Sequence, residues 1–153
     1  MTIPDYAEMK AVLAEAIVAG PAQEMTVARA EKSLGVKFPP SYRFFLSEFG
    51  AALCEGFEVA GIFAQEDESH PPLWMDVVKW THQLRRGSRD LIPLEYIPVS
   101  GDGGDYIYCI DTRVISPDGE SPVVALGPGV DGVVIAKSFS DFVIRAVREE
   151  IRF

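Results

Sequence analysis

Tyr96-Ile97-Pro98-Val99-Ser100-Gly101-Asp102-Gly103-Gly104-Asp105-Tyr106-Ile107-Tyr108-Cys109-Ile110-Asp111 contains two short runs of strand-forming residues joined by turn chemistry. Aromatic and β-branched side chains suit a pleated, half-buried surface, so 96–99 and 106–111 read as strands. Between them glycine supplies positive φ and aspartate bonds the neighbouring backbone. So short a link makes the two strands antiparallel, because a parallel pair needs a crossover of about a dozen residues or more.

The pattern continues downstream. Pro117-Asp118-Gly119 is another turn and 122–126 another strand, while Gly127-Pro128-Gly129 and Asp131-Gly132 punctuate the approach to Val133-Val134-Ile135-Ala136. Strands this close together predict an antiparallel meander. Ser138 then opens a closing helix, with Asp141 placed as in a capping box and Phe142, Val143, Ala146 and Val147 as the buried stripe.

Upstream the period changes to that of helices. One helix is predicted over 5–19, with Pro4 in its first turn, Gly20 past its end, and Met9, Leu13, Ala16 and Ile17 on one face. A second runs from Thr26, read as its N-cap, to Gly35, with Val27, Ala30 and Leu34 inward. Pro39 and Pro40 reset the chain, and Tyr42, Phe45, Leu46 and Phe49 mark a third helix that Gly50 ends. Residues 57–63 read as a strand with a bulge or bend at Gly61, and 65–72 as an acidic loop. Trp74, Val77, Val78, Thr81 and Leu84 then predict a helix ending near Arg86-Gly87. Helices come first, an antiparallel sheet follows, and one helix closes the chain. This is an α+β fold, expected as one domain over residues 1–153.

A formal net charge of −9 repels phosphate backbones and anionic lipid, so neither nucleic acid nor a membrane surface is an expected partner. It suits a basic protein partner instead. The two cysteines, Cys54 and Cys109, form no CxxC pair and no disulfide framework. The N-terminus has no basic segment followed by an apolar run, and no apolar stretch reaches the ~20 residues of a membrane helix. The expected compartment is the cytoplasm.

No arrangement of residues points to catalysis. Cys54 with His70 or His82 lacks a nucleophile-bearing turn, and two cysteines and two histidines offer zinc no closely spaced pair. Asp102-Gly103-Gly104-Asp105 lacks the alternating oxygen ligands and distal glutamate of a calcium loop, and no Gly-Lys-Ser/Thr follows it. The expectation is no enzyme, no cofactor and no metal. The candidate partner-binding residues are Glu66, Asp67 and Glu68 in the acidic loop, and Asp102, Asp105, Asp118, Glu120 and Asp131 in or beside sheet turns. Trp74, Trp80 and Tyr96 are candidate aromatic anchors. Each has a plainer reading, since turns select aspartate anyway and a tryptophan such as Trp80 also suits a core.

The stretch Ala30-Glu31-Lys32-Ser33-Leu34-Gly35-Val36-Lys37-Phe38-Pro39-Pro40-Ser41-Tyr42-Arg43-Phe44-Phe45-Leu46 resembles the opening signature of the SUKH superfamily of Smi/Knr-type proteins. Three later segments resemble later parts of the same pattern: Gly104 through Asp111, Pro122-Val123-Val124, and Ser138 through Val143. The resemblance runs in order over roughly residues 26–150. Where the family's opening stretch often ends in a small-polar or paired-glycine step, this chain has Gly50-Ala51-Ala52. The resemblance implies a mixed α+β protein-binding domain with no shared catalytic set. Its bacterial members are similar to immunity proteins encoded beside secreted or contact-delivered toxins. It thus implies a cognate toxin domain as partner, and the acidic charge suits a basic one, for instance a nuclease. A regulatory or scaffold role, as in the fungal relatives, is the alternative.

Overall fold

The structure, a computed structural model, describes residues 5–63, 74–87 and 92–151. In chain order the elements are α1 (Tyr6–Val12), β1 (Ile17–Val18), α2 (Glu24–Leu34), α3 (Pro40–Glu48), β2 (Ala52–Cys54), β3 (Phe57–Val59), α4 (Val77–Arg86), β4 (Tyr96–Gly101), β5 (Ile107–Asp111), β6 (Val123–Gly127), β7 (Val130–Ala136) and α5 (Phe139–Val147). The expected meander is present: β4-β5-β6-β7 form one antiparallel sheet in sequence order. A smaller antiparallel sheet, β1-β2-β3, precedes it. Val99 joins the two. It is an extra residue between Pro98, opposite Cys109, and Ser100, opposite Tyr108, and its carbonyl accepts from Ala60 N at 2.8 Å. A bulge also suits Pro98, which has no N–H for a sheet ladder.

β4 and β5 are apolar almost throughout because both sheet faces are covered. Ile97, Val99, Tyr108, Ile110, Val123 and Ala125 face the main core, where Tyr42 and Phe45 of α3 meet Phe139 and Phe142 of α5. Tyr42 packs edge-on to Phe139 with centroids 4.8 Å apart, and its hydroxyl donates to the Ala60 carbonyl at 2.8 Å. The alternate residues Tyr96, Ile107, Cys109 and Val124 form a second cluster under Trp80 and Leu84 of α4.

Three chain segments cross almost without side chains at Gly20, Gly50 and Gly61. A Cβ on Gly50 would lie 2.2 Å from the Gly20 carbonyl oxygen, and one on Gly61 would lie 1.7 Å from that of Gly50. Gly61 is thus a bend, as expected, but its main reason is proximity. The outer edges, β1 of the small sheet and β7 of the large one, carry side-chain contacts. The Trp74 indole donates to the Ile17 carbonyl of β1 at 3.2 Å. In β7, Gly132 (φ +77°) and Ile135 are extra residues in the register, and Arg145 Nη1 donates to the Ile135 carbonyl at 2.6 Å.

Several sequence expectations need correction. The first helix stops at Val12 rather than near residue 19, and Ile17–Val18 pairs with Ala52–Leu53 instead. The alanine-rich run looks helical, but only a strand conformation lets its β-branched end satisfy backbone groups on the sheet. Thr26 lies inside α2, whose N-cap is Gln23; the Gly35 stop holds, with φ +71°. The strand expected over 57–63 is only Phe57–Val59, because the chain then turns to meet Asp76 across Gly61. Trp74 precedes α4, whose N-cap is Asp76, where the carboxylate accepts from Val78 N and Lys79 N. The acidic loop 65–72 lies outside the described residues. Among the described residues, no helix is long and apolar enough to cross a membrane.

Candidate protein-binding surface

In an antiparallel meander, alternate turns lie at opposite ends of the sheet. This divides the predicted acidic residues. Asp102 and Asp105 lie in the β4–β5 turn and Asp131 is the second residue of β7, just past the β6–β7 turn, while Asp118 lies in the β5–β6 connection at the other end. The two hairpins at the first end are tied together: Tyr106 Oη donates to the Pro128 carbonyl at 3.1 Å. Asp102 builds its own turn, with Oδ1 accepting from Gly104 N at 2.8 Å and Tyr106 N at 3.2 Å, and Gly103 at φ +80°. The hairpin reading of this segment therefore holds. Asp105 and Asp131 are exposed.

Two shallow grooves flank the β4–β5 hairpin. One, of ≈ 270 Å³, lies toward α4 and is lined by Trp80, Leu84, Tyr106, Ile107 and Glu58, with Gly101, Gly103 and Gly104 as a wall that has no side chains. The other, of ≈ 190 Å³, is lined by Phe57, Phe142 and Ile151 together with Asp102 and Glu149. Sequence reading missed Glu58. Its alternation with Val59, which is fully buried, is the signal that turns it outward on the strand. Glu58, Asp102, Asp105, Asp131 and Glu149 have no Lys or Arg partner among the described residues. The acids that do form ion pairs there are Glu8, Glu31, Glu48, Asp111 and Asp141. The hairpin end is therefore an acidic surface with an aromatic-lined groove.

Glu149 holds this end at a conformational cost. It has φ 58°, the left-handed region that side chains resist. Glu149 N and Glu150 N bond the Ala146 and Arg145 carbonyls, a helix ending that normally uses glycine. Glu149→Gly is expected to stabilise the protein by about 1 kcal/mol and to raise Tm by roughly 2–4 °C in a thermal melt.

Two predicted surface residues are interior ones. Tyr96 is 5% exposed, with Arg113 over its ring at 5.0 Å and donating to its hydroxyl at 3.1 Å. Its apolar ring is more stable filling the second cluster than facing water. Glu120 is 9% exposed and accepts from Ser41 N at 2.9 Å and Ser41 Oγ at 2.6 Å. Burial pushes its carboxyl above the ordinary value, against the pull of the two Ser41 bonds. Asp118 accepts from Ser116 Oγ and from Glu120 N, bonds that hold its carboxyl low. Trp80 is half-buried and serves both core and groove, whereas Trp74 covers the β1 edge and packs against Phe63 with the two rings tilted by 54°. Glu66, Asp67 and Glu68 lie outside the described residues.

The residues weighed for other chemistry do not assemble. Burial pushes the Cys54 thiol up to about 11, far from the thiolate a nucleophile requires. His82 shares a hydrogen bond with Ser33 at 3.2 Å, and His70 lies outside the described residues. Among the described residues, no group of three or more His, Cys, Asp or Glu is placed to hold a metal ion.

The SUKH_5 family model, described as SMI1-KNR4 cell-wall, matches residues 5–147. No curated protein matches the chain.

Proposed function

The chain belongs to the SUKH superfamily, matched over residues 5–147, and from that membership we propose that it is an immunity protein that binds and neutralises a cognate toxin domain. The observation that carries the reading is the acidic hairpin end. Exposed Asp105 and Asp131, with Asp102, Glu58 and Glu149, present negative charge unrelieved by any ion pair among the described residues. Such a surface accelerates encounter with a basic partner and selects against acidic ones. A toxin that acts on nucleic acid needs a basic substrate path, and an acidic protein docked over it would block that path stoichiometrically. The protein would act in the cytoplasm, where the toxin's targets are.

The test is capture from native cells with the protein as bait, followed by co-expression with the captured domain. Recovery of a toxin-like domain, and survival of cells that co-express both, supports immunity. Capture of host regulatory or cell-wall machinery alone would replace it with a regulatory role, to which the family's cell-wall description also points. With the captured domain in hand, the double variant Asp105→Lys, Asp131→Lys is expected to weaken binding at least about tenfold at low salt. The loss should shrink as added salt screens exposed charge. Asp118→Lys, at the far end of the sheet, should leave affinity near wild type, and equal effects at the two ends would contradict the assignment.

A further inference from the structure

We propose that the groove between α4 and the β4–β5 hairpin is a receptor for a single arginine side chain projecting from the protein partner. The inference rests on the reading of the chain as a protein-binding module and names the contact on which that binding would centre.

Size argues first. At ≈ 270 Å³ and open to solvent, the groove falls below the ~300–1,000 Å³ typical of small-molecule sites, yet it has room for one long side chain. Its chemistry argues second. Trp80 and Tyr106 are the aromatic residues lining it, the acidic residue Glu58 lines it as well, and no Lys or Arg does. Glu58 has no cationic partner among the described residues. Aromatic faces attract cations through the ring quadrupole, and a carboxylate takes a guanidinium in a two-bond fork. A planar guanidinium uses both at once, whereas a lysine ammonium is more strongly hydrated and forms no fork. Access argues third. Gly101, Gly103 and Gly104 leave the hairpin wall bare, and a Cβ built at Gly103 would meet nothing within 4 Å. A backbone carrying the arginine can therefore approach closely. Asp102 and Asp105, in the same hairpin, extend the negative field beyond the groove.

The test uses the intact protein, ¹⁵N-labelled, with the Trp80 indole resonance followed by NMR. The probe is the blocked tripeptide acetyl-Gly-Arg-Gly-amide. Its control is the citrulline analogue, which keeps the shape and loses the charge. The arginine peptide is expected to shift the Trp80 resonance saturably with millimolar affinity, and the citrulline peptide to bind about tenfold more weakly. Glu58→Gln should reduce the arginine peptide to the citrulline level, and Asp118→Asn should change nothing. Trp80 also packs into both core clusters, so it serves as the reporter and is left unsubstituted. Equal binding of the two peptides, or an arginine response indifferent to Glu58→Gln, would overturn the proposal. That failure is separate from failure of the immunity reading. A captured toxin that binds without the groove would leave immunity standing, and a responsive groove without a toxin would place a different basic partner in it.

Discussion

Gly61→Ala is expected to lower the urea midpoint of unfolding far more than Gly56→Ala does. The new methyl group would lie 1.7 Å from the Gly50 carbonyl oxygen and 2.8 Å from its carbon, both backbone atoms. Neither strand is free to retreat. Gly61 N donates to Met75 O, Val77 N to Gly61 O, and Ile62 N to Gly50 O, each at 2.9 Å. Relief of the overlap must break part of this junction, which joins the end of α3, the small sheet and the start of α4. A loss of about 4 kcal/mol or more is expected, in the exceptional range for one substitution, against a total stability of roughly 5–15 kcal/mol. Urea titration followed by tryptophan fluorescence measures it. Gly56→Ala is the control: its φ of +88° is strained for alanine, but a Cβ there meets nothing within 4 Å. It should lose only about 1 kcal/mol. Similar midpoints for the two variants would mean that the crossing has slack.

Glu120→Ala is the second large effect, and its sign with pH is informative. α3 begins Pro39-Pro40-Ser41, and its N-cap Pro39 has no side-chain acceptor to offer. Glu120, 79 residues along the chain, supplies the missing cap through Ser41 N and Oγ. Ser41 Oγ in turn accepts from Ser140 N at 3.3 Å, and Ser140 Oγ donates to Asp5, so the starts of α1, α3 and α5 meet in one polar knot. Removing the carboxylate strands a buried N–H and hydroxyl, and a loss of about 3 kcal/mol is expected. The acid's folded pKa lies above its ordinary 4.5, chiefly because burial disfavours its charge. The contribution that follows from this shift is full below 4.5 and is lost as pH rises through the folded value. Urea titrations from about pH 4 to about pH 7 should therefore show Glu120→Gln gaining on wild type as pH increases. A gap that widens in the wild type's favour would mean that the Ser41 bonds outweigh burial.

Much of this architecture is legible in the chain. β4, β5 and β6 stand out because they are covered on both faces, so their apolar runs are continuous and bounded by Gly, Asp and Pro. Ser138 caps α5 as read, accepting from Asp141 N at 3.0 Å, although Asp141 reaches back to Lys137 N rather than to Ser138 N. β1 and β2 were not legible, because two or three residues are too few to show a period of two. Ile17–Val18 becomes a strand only because Ala52–Leu53 is there to pair with it. The acidic surface was legible as composition but not as geometry. Whether an aspartate falls at one end of a meander or the other depends on the parity of its turn. Glu120 looked like a turn residue because its partner, Ser41, is contributed by a distant helix. Tyr96 looked like an anchor because an amphipathic ring reads alike at a surface or under Arg113. The groove joins Glu58, Trp80 and Tyr106 from three elements, and no local pattern announces it.

The treatment of the two sheet edges bears on how the molecule behaves when crowded. An exposed run of unpaired N–H and C=O groups can recruit strands from other chains, and Val133 and Val134, 53% and 61% exposed, would be an apolar invitation to do so. The extra residues Gly132 and Ile135 break the straight register that an incoming strand would have to match, and Arg145 already occupies the Ile135 carbonyl. At the opposite edge β1 is two residues long, and Trp74 occupies the Ile17 carbonyl. Neither border is a template for fibril growth or strand exchange. Association through these two strand edges is therefore disfavoured, however concentrated the protein becomes.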